Sequence, residues 1–428
     1  MLARDPGRGR REARAIVRAM SRGGDAGDQA LGSADAGLEL SIVMPCLDEA
    51  ETVGACVREA RAFLAASGVR GEVLVGDNGS SDGSQEIARR EGARVVDVPV
   101  RGYGAALHAA VLAARGRYVV MGDSDRSYDF SDLTPFLERL RQGFDLVMGN
   151  RFLGGIERGA MPWKNRHVGN PALSGIGRLL FGCPARDLHC GIRGFSAEAF
   201  RRMDLRTTGM EFASEMVVKA TLLGMRVTEV PARLRRDGRS GPPHLRPWQD
   251  GWRHLRFMLL YSPNWLFFYP GLALAAAGLL VGAWLLPGPR RIGGVELDVH
   301  TLLYAALAVL VGVQAIGFAI FSKTFAAAEG LLPESRRQRA FHRRVTLEVG
   351  IGAGVLLAAA GLAGSVHAVL RWRAGSFGPL DPARTLREVI PSVLATVLGI
   401  QVLLSSFFLS VLRLKRRPLD DGPGEAPR

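Results

Sequence analysis

The chain has 428 residues, a formal net charge of +14 and 47% hydrophobic residues, enough for two domains, and its long apolar runs are confined to roughly the last two-fifths. Many of the Lys and Arg residues flank those runs, which favours a membrane partner over nucleic acid: Arg beside an anionic leaflet is attracted to it, and no nucleic-acid recognition motif is present. The four cysteines, Cys46, Cys56, Cys183 and Cys190, form no CxxC pair, so neither a zinc site nor a disulfide framework is indicated and reduced thiols are expected.

Residues 1–38 are rich in Gly, Ala, Arg and Asp without apolar periodicity or a signal-peptide core, and read as a disordered basic tail. In a domain spanning 39–245, β-branched runs at 41–45, 72–77, 93–98, 117–123 and 144–150 alternate with helical stretches near 50–66, 84–91, 103–114 and 131–142. Alternation at this spacing predicts an α/β fold with right-handed crossovers and a mainly parallel sheet covered on both faces. Residues 246–264 include PWQDGWRHLRFMLLYSP, where Trp248, Trp252, Leu255, Met258 and Leu259 recur at helical spacing beside Arg253, His254 and Arg256. The pattern suits an interfacial juxtamembrane helix, with a last domain helix packing its aromatics inward as the alternative.

Four apolar stretches follow within 265–412, at about 265–286, 301–321, 346–370 and 390–412, each long enough to cross a bilayer as a helix. The loop 322–344 and the tail 413–428 are basic, which puts both, and the first domain, on the cytoplasmic side of the plasma membrane. Arg290, Arg291, Arg371, Arg373, Arg384 and Arg387 in the outer loops weaken that contrast. Gly350, Gly352 and Gly354 permit close helix contact.

Polar motifs fall just after the predicted strands, where a parallel sheet binds its ligands. Pro45-Cys46-Leu47-Asp48-Glu49 offers acidic groups and amides at the first corner, or a simple helix cap. Gly76-Asp77-Asn78-Gly79-Ser80-Ser81-Asp82-Gly83 lacks the alternation of a calcium loop and fits a base and ribose pocket, with Asp77 accepting from a base imino group. Asp82, Ser80 and Ser81 can also serve as caps. Gly102 and Gly104 open a helix and allow either a diphosphate or a plain turn. Asp123-Ser124-Asp125 ends a strand with two carboxylates one residue apart, hard oxygen ligands for one Mg²⁺ or Mn²⁺ that also binds phosphate.

Together these motifs resemble the family 2 glycosyltransferases of GT-A fold, especially the polyprenyl-phosphate (dolichyl-phosphate-type) sugar synthases, over about residues 40–245. Asp48-Glu49 stands at the family's Asn-Glu, Asp77-Asn78 with Gly79-Ser80-Ser81-Asp82-Gly83 at its Asp-Asp-Gly-Ser-x-Asp-Gly, and Asp123-Ser124-Asp125 at its DxD. Gly149-Asn150-Arg151, Asp187-Leu188-His189-Cys190-Gly191, Phe212 with Glu215 and Lys219, and Arg236-Asp237-Gly238-Arg239-Ser240 match later motifs. Asn78 replaces the second Asp, and Gly241 stands where a Lys is common, a cation that Arg239 or Arg246 could replace.

The resemblance implies inverting, metal-dependent transfer of one hexose from a UDP-glucose or GDP-mannose type donor to polyprenyl phosphate. The donor would meet Pro45, Leu47, Glu49, Asp77, Asp82, Gly102, Gly104, Asp123 and Ser124, with Asp123 and Asp125 on the metal. An ionised phosphate acceptor needs cations, for which Arg151, Arg166, Arg236 and Arg239 are candidates beside Ser240. A glycolipid hydroxyl would need a carboxylate base, Asp187 or Glu215, so the catalytic set is Asp125, Asp187, Glu215 and Arg236. No QxxRW motif of processive synthases is present. A catalytically silent membrane scaffold is the alternative of another class, and the sequence is compatible with a homo-oligomer.

Overall fold

Leu40–Cys46 (β1) is buried at every position but Pro45, as a strand covered on both faces must be. It lies at the middle of the turn in the sheet's winding. Gly71–Asp77 (β2) pairs with it on one side and Tyr118–Met121 (β4) on the other, both parallel, and Arg94–Asp97 (β3) extends the sheet beyond β2. Leu146–Asn150 (β5), Arg193–Ser196 (β6) and Val227–Pro231 (β7) complete the order β3-β2-β1-β4-β6-β5-β7. Only β6 runs antiparallel to its neighbours. The winding reverses between β1 and β4, so the crevice at their carboxyl ends is where such a sheet takes a ligand.

The computed structural model describes residues 37–240, 247–329, 331–334 and 336–414, so nearly all of the predicted basic tail, Gly241, Arg246 and the tail from 415 fall outside the described residues. The chain divides after Met258 into two units. In the first, helices Val53–Ser67 (α1), Ser84–Arg90 (α2), Tyr103–Ala113 (α3) and Thr134–Arg141 (α4) join the early strands. After β5 come the short Arg151–Gly154 (α5), a π-helical turn at Asn165–Gly169, Asn170–Phe181 (α6), Ala197–Met203 (α7) and Phe212–Leu222 (α8). One core, with Ile42, Val75 and Phe130, lies on one face of the sheet, and a second, with Val43, Leu107 and Phe195, on the other. Pro247–Leu260 (α9) turns His254, Phe257 and Met258 inward while Trp252 stays exposed.

Four helices of the second unit are long and apolar enough to cross a membrane: Asn264–Leu285, Val299–Ala328, Leu347–Ala374 and Pro382–Leu412. The first begins as a π-helical turn and continues as Tyr269–Leu285 (α10); the others are α11, α13 and α14, with Arg336–Arg344 (α12) between α11 and α13. A two-stranded hairpin, Arg290–Ile292 (β8) and Val295–Leu297 (β9), links α10 to α11. Small residues form the seams. A Cβ on Gly354 would meet the Gly399 carbonyl at 2.8 Å and one on Gly271 the Gly312 carbonyl at 2.7 Å. Gly350 lies against Ser406, whereas Gly352 has nothing within 4 Å, so two of the three glycines singled out above lie on the α13–α14 seam. Outward-facing Leu280 and Leu356 are each 73% exposed, a hydration cost that lipid removes.

Candidate active site

β1 and β2 end in register, Cys46 opposite Asp77, and the loops leaving them are stitched together. Asp48, held at φ 54°, accepts from the Ser81 amide at 2.8 Å, and its own amide donates to Ser80 Oγ at 2.9 Å. The Ala50 amide donates to Asp82 Oδ2 and the Glu49 amide to Ser84 Oγ. Asp82 and Ser80 are therefore clips between two loops rather than helix caps, since α2 has Gly83 at its N-cap with no side-chain cap.

Asp77 is 1% exposed. Its Oδ2 accepts from the amides of Gly79 and Ser80 and from Gln85 Nε2, at 3.0, 3.1 and 2.6 Å. Its Oδ1 is buried with no hydrogen-bond partner among the described residues. An orphaned buried carboxylate oxygen costs a substantial desolvation penalty unless a ligand supplies the donor. Next door, Asn78 Nδ2 donates to the carbonyls of Val98 and Val100, and its Oδ1 accepts from the Gly102 amide. An Asp could not donate to two carbonyls, which explains the amide at this position.

Asp123 and Asp125 follow β4. Asp123 is half-buried, accepts from the Tyr103 hydroxyl, and is pushed up to about 7 by burial and then by the neighbouring Asp125. Its Oδ2 fits because residue 191 is Gly, where a Cβ would come within 2.5 Å. Asp125 Oδ1 accepts from the Ser127 amide and Oδ2 from Arg239 Nη2 at 2.7 Å. Among the described residues no group of three or more His, Cys, Asp or Glu could hold a metal. The pair nevertheless fits a hard divalent cation whose remaining ligands are oxygens of a bound phosphate or water. Ser124 Oγ donates to the Pro45 carbonyl at 2.6 Å, tying the end of β4 to that of β1. Glu49 lies 3.0 Å from Arg239 and is raised to about 7, chiefly by burial.

The later candidates are arranged differently. Asp187, fully buried, receives Arg151 through Nε, Nη2 and the backbone amide at 2.8, 2.7 and 3.0 Å. Glu215, also fully buried, accepts from the amides of Arg206 and Thr207 and from Thr207 Oγ1, with Lys219 at 2.9 Å. It thereby fixes the segment that packs on α3: a Cβ on Gly102 would lie 2.1 Å from the Thr208 carbonyl, and one on Gly104 2.7 Å from the Thr207 carbonyl. The two glycines permit a close backbone approach by residues 207–209.

Arg166 is exposed on the π-helical turn. Arg236 is exposed, with Nε donating to the Arg158 carbonyl at 2.6 Å, and Ser240 donates through its amide to Glu51 at 2.8 Å. Pro45, half-buried one residue before the end of β1, accepts from Ser124 through its carbonyl, and Leu47 just beyond the strand is 37% exposed. Sequence reasoning missed Tyr103, Gln85 and Gly191 as supports for Asp123 and Asp77. Gly191 lies inside a matched motif and Tyr103 between Gly102 and Gly104, but their roles were hidden because the contacts cross between elements.

Residues 41–204 match the family model described as glycosyl transferase family 2, and residues 320–413 match the glycosyltransferase family 2 C-terminal transmembrane region. The chain is 37% identical over 391 residues to the low-salt glycan biosynthesis hexosyltransferase Agl6 of Haloferax volcanii, covering 90% of this chain and 92% of that protein. It is 33% identical over 214 residues to the dolichyl-phosphate hexose transferase of the same organism, covering 50% of this chain and 89% of that one. Glucosyl-3-phosphoglycerate synthase from Mycobacterium tuberculosis, solved with Mg²⁺ and UDP, is 25% identical with a TM-score of 0.41 over 55% of this chain and 83% of that one.

Proposed function

The chain belongs to glycosyltransferase family 2 and is a multi-pass membrane hexosyltransferase; from that premise we propose that it moves one hexose, with inversion, from a nucleoside-diphosphate sugar to polyprenyl phosphate at the cytoplasmic face of the membrane. The observation that carries the donor half is the arrangement at the strand ends: the orphaned Oδ1 of Asp77 after β2 and the carboxylates of Asp123 and Asp125 after β4, with β1 between them. Two strand spacings, about 10 Å, separate an acceptor suited to a base imino group from a pair suited to a cation on a diphosphate. A divalent cation bound by Asp123 and Asp125 would neutralise the charge that develops on the departing diphosphate. Tyr103 and Gly191 hold Asp123 in place for it, and Ser124 holds the two strand ends together.

Phosphate is favoured as the acceptor because it is already ionised and needs no base. The two carboxylates that a hydroxyl acceptor would call on, Asp187 and Glu215, are buried and fully engaged. The dolichyl-phosphate hexose transferase relative supports the same class of acceptor. The cytoplasmic orientation rests on the excess of Lys and Arg in the loop 322–344 and the tail from 413.

The test is transfer by the detergent-purified chain, with Mg²⁺ or Mn²⁺ and polyprenyl phosphate, from a panel of radiolabelled UDP- and GDP-sugars. Lipid-extractable label in an acid-labile linkage is expected and would identify the donor. Label that appears only on glycolipid hydroxyls, in an acid-stable glycoside, would replace the acceptor assignment. Loss of nucleotide-sugar binding with metal present would favour the silent scaffold.

A further inference from the structure

By its motif Arg239 is a candidate for the acceptor phosphate, yet its guanidinium sits on carboxylates proposed for the donor and metal. Nη2 meets Asp125 Oδ2 at 2.7 Å, Nη1 meets Glu49 Oε1 at 3.0 Å, and Nε meets both oxygens of Asp237 at 3.0 Å. The side chain is only 14% exposed. A single fixed cation thus serves three carboxylates, with Asp123 close by as a fourth acid.

We infer that Arg239 is the resident counter-cation of the metal carboxylates, and that it exchanges Asp125 and Glu49 for the donor's diphosphate when metal and nucleotide bind. The inference rests on the reading of Asp123 and Asp125 as metal ligands. A divalent cation on Asp125 and a guanidinium on the same oxygen repel each other, so metal entry displaces Arg239. The diphosphate that arrives with the metal is the planar fork's natural bidentate partner. The exchange needs only side-chain torsions, because the backbone around Arg239 is fastened independently. The Gly238 amide donates to the Asp125 carbonyl at 2.9 Å, the Ser240 amide to Glu51 at 2.8 Å, and Arg235 meets Glu59 at 3.1 Å. Arg239 so placed makes metal binding weak until nucleotide is present, which couples the two ligands to one event.

The experiment is Mn²⁺ titration of the full-length, detergent-solubilised chain by electron paramagnetic resonance, with and without UDP or GDP, for the native protein, Arg239→Gln, Arg239→Lys and Asp125→Asn. Without nucleotide, Arg239→Gln is expected to bind Mn²⁺ about tenfold more tightly, the size of effect a neighbouring charge has on a carboxylate. At saturating Mn²⁺ the same variant should bind the nucleoside diphosphate about tenfold or more weakly. Arg239→Lys, which keeps the charge but not the fork, should lie between, and supplies the comparison should the Gln variant fail to fold. Unchanged or weaker Mn²⁺ binding by folded Arg239→Gln, with Asp125→Asn abolishing it, overturns the exchange alone. Mn²⁺ binding that survives Asp125→Asn overturns the metal assignment beneath it.

Discussion

The first unit holds two clusters of charged residues that a motif reading treats alike. Around β5 and α8, Asp187 with Arg151 and Glu215 with Lys219 are buried, and every carboxylate oxygen has a donor. At the ends of β1, β2 and β4, one oxygen of Asp77 has no donor among the described residues, Asp123 carries a raised pKa beside another acid, and one guanidinium is shared among three carboxylates. The first arrangement is complete without a ligand and the second is not. On the proposed function, unused hydrogen-bonding and charge capacity, more than motif membership, marks the residues expected to bind.

The widest separation between the two clusters should appear in Asp125→Ala. Initial transfer rates are expected to fall about 10³-fold, the scale of metal stabilisation of a leaving group, while the melting temperature in detergent changes little. Arg151→Ala should do the reverse, destabilising the fold by about 3–5 kcal/mol through the unpaired, buried Asp187, as read from denaturant unfolding. Were Arg151→Ala to stay as stable as the native chain and lose only activity, the second cluster would belong to the site after all.

Tyr103→Phe tests the supports of the first cluster: loss of the hydroxyl on Asp123 is expected to weaken Mn²⁺ binding about 10–100-fold with no change in helix content. The smallest effect is in pH. Asp123 is raised from 3.8 to about 7, so the folded state holds this proton more tightly than the unfolded one. Its contribution to stability is present below about pH 4 and is lost as pH rises through 7. Melting of the metal-free protein should therefore soften across that window, less so in Asp123→Asn, while Glu49, also raised to about 7, keeps part of the slope in that variant.

Much of this was legible in the chain. Strands β1 to β5 are short apolar runs bounded by turn residues, and the apolar helices stand out by length alone. β6 escaped because its four residues include Arg193, fully buried and donating to the carbonyls of Leu188 and Cys190, which in sequence looks like a solvated charge. The pairing of Arg151 with Asp187 spans 36 residues, and Arg239 lies 114 residues from Asp125. Local spacing carries no trace of either, so which Arg is buried against Asp187 and which lies on the strand-end carboxylates is set only by the sheet that brings them together. Asn78 looked like a weakened motif until its two carbonyl partners gave the reason for the amide.

The central claim is that the strand-end cluster is a metal-dependent nucleotide site, and calorimetric titration of UDP and GDP into the purified chain tests it most directly, with and without Mn²⁺, beside Asp77→Asn and Asp125→Ala. Binding of one nucleotide that requires Mn²⁺, and that weakens at least about tenfold in each variant, is the result expected. Nucleotide binding indifferent to Mn²⁺ and to both substitutions would contradict it.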